Sequence, residues 1–356
     1  MRFPSPFTVV LCCLSPLALA QKKNTVPAPH PAVAQPSTAG PITLDVVVSG
    51  KNDVPISGLQ QQDFTLDVDK KSQPITSFRA VQASSASAEP IETILLIDTI
   101  NTRFDHVAYE RQQIEQFLKQ NGGHLAQPVS LVVLTDSGTR IMPQPTRDGT
   151  QLAKFLDQSE ANLRIIGDDT GFYGAVERFQ TSINALKQLT DYEIPRPGRK
   201  LLIWISPGWP LLSGPNVELT EKDQKGLFNT AVDLAASMRK ARITLSSVDP
   251  LGTTDSGTFR TFFYEEFVKG IPTANKMQIG NLALQVLALQ SGGIVLNSNN
   301  DIAKEISTAA SEAQAFYVLT FNSAPTTRPD DYRPITVHVD KSGLTARTRS
   351  GYYAQP

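Results

Sequence analysis

Apolar positions in residues 41–82 recur every second residue. Ile42, Leu44, Val46 and Val48 alternate with Thr43, Asp45 and Val47, and Phe64, Leu66 and Val68 alternate with Thr65, Asp67 and Asp69. This is the period of a strand with one buried face. Asn52-Asp53 and Ser57-Gly58 are turn signals, Lys70-Lys71-Ser72 reverses the chain, and Ile75–Phe78 is a further short strand. No helical spacing occurs, so 41–82 is predicted to be a small β module. A Ser/Ala linker follows over 83–90.

The pattern then changes to short apolar runs separated by helical spacings. Ile94-Leu95-Leu96-Ile97, Val129–Leu134, Leu201–Ile205, Ile243–Val248 and Ile294–Leu296 read as strands. Continuous runs such as 94–97 and 201–205 fit parallel strands buried on both faces. Asp136-Ser137-Gly138 predicts a hairpin partner at Thr139–Met142. Helices are predicted through Val107, Ile114, Phe117 and Leu118, through Leu152, Phe155 and Leu156, and through Val176, Phe179, Ile183, Leu186 and Leu189. Three more run through Leu227, Ala231, Leu234 and Met238, through Leu282, Val286 and Leu289, and through Ile302, Ile306 and Ala310. The chain ends in strands at Phe316–Phe321, Ile335–Val339 and Leu344–Thr348. The expected architecture is a doubly wound, mostly parallel α/β sheet over 91–312. The strands of 41–82 and 313–354 are expected to pack together as one accessory β-domain.

Composition narrows the function classes. The chain has 356 residues, 40% hydrophobic and 19% charged, which is globular and long enough for a sizeable core with smaller modules. A net charge of -1 gives no long-range field for a polyanion, so no nucleic acid partner is expected. The four histidines show no zinc-ligand spacing. Both cysteines, Cys12 and Cys13, lie in a leader-like start. Arg2, the apolar run Phe7–Leu14, Pro16 and Ala18-Leu19-Ala20 predict a signal peptide over 1–20. The alternative, a membrane anchor, needs a longer uninterrupted run. Bulky Leu11 before Cys12 speaks against a lipoprotein. Residues 21–40 form a flexible Pro/Ala-rich tether. The mature chain is expected to be soluble, without a transmembrane segment, and exported to the periplasm or beyond.

In an open α/β sheet, ligands bind beyond the carboxyl ends of the strands. Asp98-Thr99-Ile100-Asn101-Thr102 ends the first such strand and offers hard oxygen ligands for Mg²⁺, Mn²⁺ or Ca²⁺, as does Asp168-Asp169-Thr170-Gly171. The same residues also fit a bland role. Thr102 or Asp105 can cap one helix, and Asp169 or Thr170 the next. Asn101 can be a ligand or can hold the loop by bonds to its backbone. There is no G-x-x-x-x-G-K-[ST], no G-x-G-x-x-G and no G-x-S-x-G, so nucleotide binding and a nucleophile elbow lack support. Asp67, Asp69, Lys70 and Lys71 read as a solvated strand edge. Phe259, Phe262, Phe263 and Phe267 either close a small core over the sheet end or form a partner patch. Trp204 is expected in the core. Trp209, between Gly208 and Pro210, is the better contact candidate.

These residues bring a family into view. The chain resembles the von Willebrand factor type A (vWA) superfamily, and is most similar to exported VWFA-related proteins of the acidobacterial type. Leu44-Asp45-Val46-Val47-Val48, Ile56-Ser57-Gly58-Leu59 and Asp63-Phe64 resemble the N-terminal module, and Asp98 to Thr102 occupies the D-x-S-x-S loop. Thr170-Gly171-Phe172-Tyr173-Gly174-Ala175 resembles T-x-L-Y-D-A, and Ser206-Pro207-Gly208 stands at T/S-D-G. Ser291-Gly292-Gly293, Phe316-Tyr317-Val318-Leu319-Thr320-Phe321, Gly343-Leu344-Thr345 and Arg349-Ser350-Gly351-Tyr352-Tyr353 are similar to the C-terminal pattern.

The resemblance implies a vWA/Rossmann-like fold and a metal-ion-dependent adhesion site, with Asp98, Thr102 and Thr170 as the remaining ligands. Ile100, Pro207 and Gly174 replace a serine and two acids, so the site is degenerate. No resident cofactor is expected, and Mg²⁺, Mn²⁺ or Ca²⁺ should bind weakly. The expected function is a non-enzymatic protein-interaction module with an unidentified protein partner. Its face would be built from Asp98, Asn101, Thr102, Asp169, Thr170 and Trp209. Alternatives are a structural spacer of an envelope assembly, or a periplasmic hydrolase, for which no acid, base and nucleophile cluster is visible.

Overall fold

The computed structural model describes residues 40–51, 53–83, 90–102, 104–142, 144–160, 171–210, 219–251 and 264–356. The expected leader (1–20) and nearly all of the expected tether (21–40) lie outside these residues. The chain opens with β1 (Pro41–Ser49), β2 (Phe64–Val68), β3 (Lys71–Gln73) and β4 (Ser77–Gln82). The α/β part follows as β5 (Ile91–Asp98), α1 (Phe104–Leu118), β6 (His124–Thr135), β7 (Gly138–Ile141), β8 (Thr146–Asp148), α2 (Gly149–Glu160) and α3 (Gly171–Glu193). It continues as β9 (Arg199–Ile205), α4 (Glu221–Ala241), β10 (Ile243–Val248), α5 (Leu284–Ser291), β11 (Val295–Leu296) and α6 (Ile302–Ser311). The chain closes with β12 (Ala315–Asn322), β13 (Asp331–Val339), β14 (Thr345–Arg347) and β15 (Gly351–Ala354).

The central sheet has the order β11-β10-β9-β5-β6-β7. β5, β6, β9, β10 and β11 run parallel, and β7 and β8 pair with β6 antiparallel. Strand order therefore reverses between β5 and β9, the switch point of a doubly wound sheet. The period of two explains why these strands read as continuous apolar runs. Ile94, Leu96, Leu202, Trp204 and Leu245 face α3, α4 and α5, while Leu95, Ile97, Ile203, Ile205 and Val248 face α1, α2 and α6.

The accessory strands form two sheets, β14-β1-β12-β4 and β15-β13-β2-β3, each joining both ends of the chain. Ile42, Leu44, Val46, Phe64, Leu66, Leu319, Ile335 and Val337 share one core between them. The N- and C-terminal strands thus make a single β-sandwich. Buried Tyr317 ties the 50–60 loop to it, accepting from Leu59 N at 3.1 Å and donating to Ile56 O at 2.9 Å.

Sandwich and α/β part meet at the amino ends of the central strands. Arg242, left-handed at the end of α4, pairs with Asp45 of β1. Glu312 pairs with both Arg199, at the start of β9, and Arg347 of β14. Lys200 donates to the carbonyls of Glu193, Arg196 and Ala241, satisfying acceptors at the ends of α3 and α4. Asp98, Asn101, Thr102 and Trp209 follow the opposite, carboxyl ends of β5 and β9.

Candidate functional site

β5 ends on Asp98, which is fully buried. Its Oδ1 accepts from the backbone N–H of Asn101 at 3.1 Å, and its Oδ2 from Asn101 Nδ2 at 2.8 Å. Trp204 Nε1, from the adjacent strand β9, donates to the same Oδ2 at 3.0 Å. Ser206, at the end of β9, adds its hydroxyl. Burial pushes the Asp98 carboxyl up, and these donors oppose it. The amide and indole N–H groups can only donate, so the shell fits an ionised, accepting carboxylate. A carboxylate offers about four lone-pair positions, and donors at hydrogen-bond distance take three of them, two from Asn101 and one from Trp204.

The rest of the loop is tied as tightly. Thr102 donates to Asp98 O at 2.8 Å and Thr99 to Leu134 O at 2.7 Å. Asn101 Nδ2 also reaches Ser182 Oγ of α3 at 2.9 Å. Ile100 is buried in the core on the α3/α4/α5 side of the sheet. Asn101 thus acts through its side chain on Asp98 and α3, a linkage between elements that sequence spacing does not reveal.

Beneath the loop, Glu110 of α1 is buried. Burial and the charges of Asp98 and Asp249 push its carboxyl well above the usual range, against a bond to Thr102. Glu305 of α6 continues the row of buried acids. Burial pushes its carboxyl to about 7, against the backbone N–H groups of Asn299 and Ser298 and with the charge of Asp249.

The resemblance implies a divalent cation at this loop, and the described residues do not fit one. Both Asp98 oxygens already accept from neutral donors, Oδ1 from one and Oδ2 from two, and the Thr102 proton points at a carbonyl. Among the described residues, no three His, Cys, Asp or Glu side chains converge on a metal position. Asn101 Oδ1 lacks a hydrogen-bond partner among them, and a neutral amide oxygen by itself does not dehydrate Mg²⁺. Displacing the Asp98 shell would break hydrogen bonds to a charged group, each contributing about 1.5–3 kcal/mol.

Trp209 differs from its expectation as an exposed contact. It is buried at 3% exposure. Its indole N–H donates to Leu282 O at 2.7 Å, and its ring meets Trp204 edge to face at 5.1 Å and 75°. Gly208, at φ 97°, makes the turn that sends it inward, and a Cβ there would strike the Gln285 side chain. Trp204 is in the core as expected, and is also the donor to Asp98. Asp169 and Thr170 lie outside the described residues, as do Asp168, Phe259, Phe262 and Phe263. Tyr264 is buried against Ala283 and Val286, with Phe267 packed on them, so this part of the aromatic stretch closes a small core.

Exposed apolar residues stand on the first turns of α3. Tyr173 is 85% exposed and Val176 is 37% exposed. Tyr173 lies about 13 Å up the helix axis from Ser182. The stretch containing Tyr173 was legible as a motif, but its exposure was not. A groove of about 490 Å³ opens instead on the sandwich, bounded by Gln61, Phe64 and Ile75, and includes none of these residues.

No protein-family model matches the chain, and no curated protein matches it. Several solved structures are similar at low identity. An aerotolerance-related membrane protein from Bacteroides fragilis aligns at 14% identity over 62% of this chain and 98% of that one, with a TM-score of 0.35. The SpRpn10 VWA domain aligns at 16% identity over 61% and 94%, with a TM-score of 0.30. Manganese-loaded Plasmodium vivax TRAP aligns at 10% identity over 77% and 96%, with a TM-score of 0.33. The fold assignment stands on the strand order and the two-faced core, which are those of a vWA/Rossmann-like sheet.

Proposed function

We propose that the chain is an exported, non-enzymatic protein-interaction module of vWA type. Its binding face is the carboxyl end of the central sheet, beside the exposed start of α3. The observation that supports this reading most is the bond between the two strands of the switch point. Asp98 at the end of β5 is held by Trp204 of β9, so the ends of the two strands are fixed relative to each other. Ligands of doubly wound sheets bind at this position, and a fixed frame lowers the ordering cost of a protein contact. Tyr173 gives the face an exposed aromatic, a residue type enriched at interface hot spots. Export rests on the leader-like residues 1–20, and no helix among the described residues is long and apolar enough to cross a membrane.

The test is native-gel migration of envelope extracts from cells producing the wild type or Tyr173→Glu. The wild type is expected in a complex heavier than the monomer, and the variant in monomer form at unchanged abundance. Equal migration of both in the heavy complex would contradict the assignment of the face. Migration of both as monomers would contradict an interaction module.

A further inference from the structure

We propose that the Asn101 amide and the Trp204 indole take the place of a divalent cation at the strand-end site, so that hydrogen bonds organise the face and it works without metal. The proposal concerns the face described above, but it does not depend on any partner binding there, because its test reads metal alone.

A cation on this loop has three tasks: to neutralise the buried Asp98 carboxylate, to join β5 to the neighbouring elements, and to fix the loop that leaves β5. Each is done here by a neutral donor. Trp204 Nε1 at 3.0 Å and Asn101 Nδ2 at 2.8 Å spread the charge of Oδ2, and the Asn101 N–H at 3.1 Å does so for Oδ1. The same Asn101 nitrogen reaches Ser182 Oγ at 2.9 Å, joining the loop to α3, while Trp204 joins it to β9. Ser182 in turn donates to Arg178 O at 2.9 Å, so its oxygen is free to accept from Asn101. Direction is consistent along the path from α3 to Asp98, with a donor at every step.

Among the described residues, the positions from which a metal site would draw oxygen are diverted. Ile100 is in the core, Pro207 carries no side-chain donor or acceptor, and its carbonyl accepts from Gln285 Nε2 at 3.3 Å. Thr102 is turned to Asp98 O. The replacements at 100 and 207 and the donors at 101 and 204 therefore belong to one change, from an ion-centred loop to an amide-centred one.

The experiment titrates the full chain with Mn²⁺ to 1 mM and follows the indole N–H resonances by NMR. The chain has only two tryptophans, Trp204 and Trp209, and both indole N–H groups are bonded near the loop. Neither signal is expected to broaden beyond a diamagnetic Mg²⁺ control and bulk relaxation. Saturable broadening in the wild type that Asp98→Asn removes would overturn the proposal. The complementary arm uses Asn101→Ala and Trp204→Phe, checked for folding by circular dichroism. Removing the donors should raise Mn²⁺ affinity at least tenfold, read from the free-ion electron paramagnetic resonance signal, and Asp98→Asn in the same background should abolish the gain. Folded donor-free variants that bind no better than the wild type would also overturn it. Should Trp204→Phe not fold, Asn101→Ala carries the arm, and the wild-type resonances stand on their own.

Discussion

Trp204 Nε1 donates to Asp98 Oδ2 at 3.0 Å, from one central strand to the carboxylate at the end of its neighbour. Both residues are fully buried. A buried charge that loses a donor keeps its desolvation cost and loses its compensation. Trp204→Phe should therefore destabilise the fold by about 2–4 kcal/mol, combining the lost bond with the smaller ring. Urea unfolding measures this. A loss below about 1 kcal/mol would mean that the bond does not hold Asp98.

Glu305 and Glu193 set an acid-side pH dependence. Burial pushes both carboxyls to about 7, with Glu92 adding to the effect at Glu193 and Asp249 at Glu305. A raised carboxyl keeps its proton longer in the folded than in the unfolded chain. Its contribution is fully present below the ordinary carboxylate range and is lost as pH rises toward 7. Stability should fall across that window. Glu305→Gln should flatten the fall and add about 2–3 kcal/mol above pH 7. Unfolding curves at pH 4.5, 6 and 7.5 decide it, and a variant that parallels the wild type throughout would refute it.

Trp209 is a packing residue, so Trp209→Ala should cost about 3–5 kcal/mol of stability through the cavity it leaves. Thermal melts check this. A fully stable variant with altered partner binding would restore the exposed role expected from its loop position.

Asp45 and Arg242 join sandwich to α/β part through a partly buried ion pair. Asp45→Ala leaves Arg242 without that carboxylate and should cost about 1–3 kcal/mol. Amide exchange should rise at β1 and at the end of α4 before it rises in β5 or β9. Uniform change across the chain would show that the joint has no local role.

What could be read in advance follows from periodicity. The runs at 94–97 and 201–205 announce strands buried on both faces, and the alternation at 42–48 announces one-sided burial. Lys70-Lys71-Ser72 reads as a turn although β3 begins at Lys71, because β3 is a short polar edge with no buried face to pattern it. Gly351–Ala354 forms β15 through pairing with β13, a partner that local sequence does not name. At the site, the Asp98 loop was legible from its position after a strand. The role of Asn101 stayed open between ligand and loop brace, because the choice depends on Ser182 and Trp204, which are distant in sequence and adjacent only in the fold. Trp209 misled because a Gly-Trp-Pro loop suggests exposure, while Gly208 turns the ring inward.

The central claim is that the strand-end face beside α3 is where this chain meets its partner. The most direct measurement is site-specific photocrosslinking in intact cells, with p-benzoylphenylalanine placed at Tyr173 or at Val54, which is 62% exposed on the sandwich. The account predicts a discrete adduct from position 173 and none from position 54. An adduct from 54 alone would move the interaction to the sandwich and contradict it.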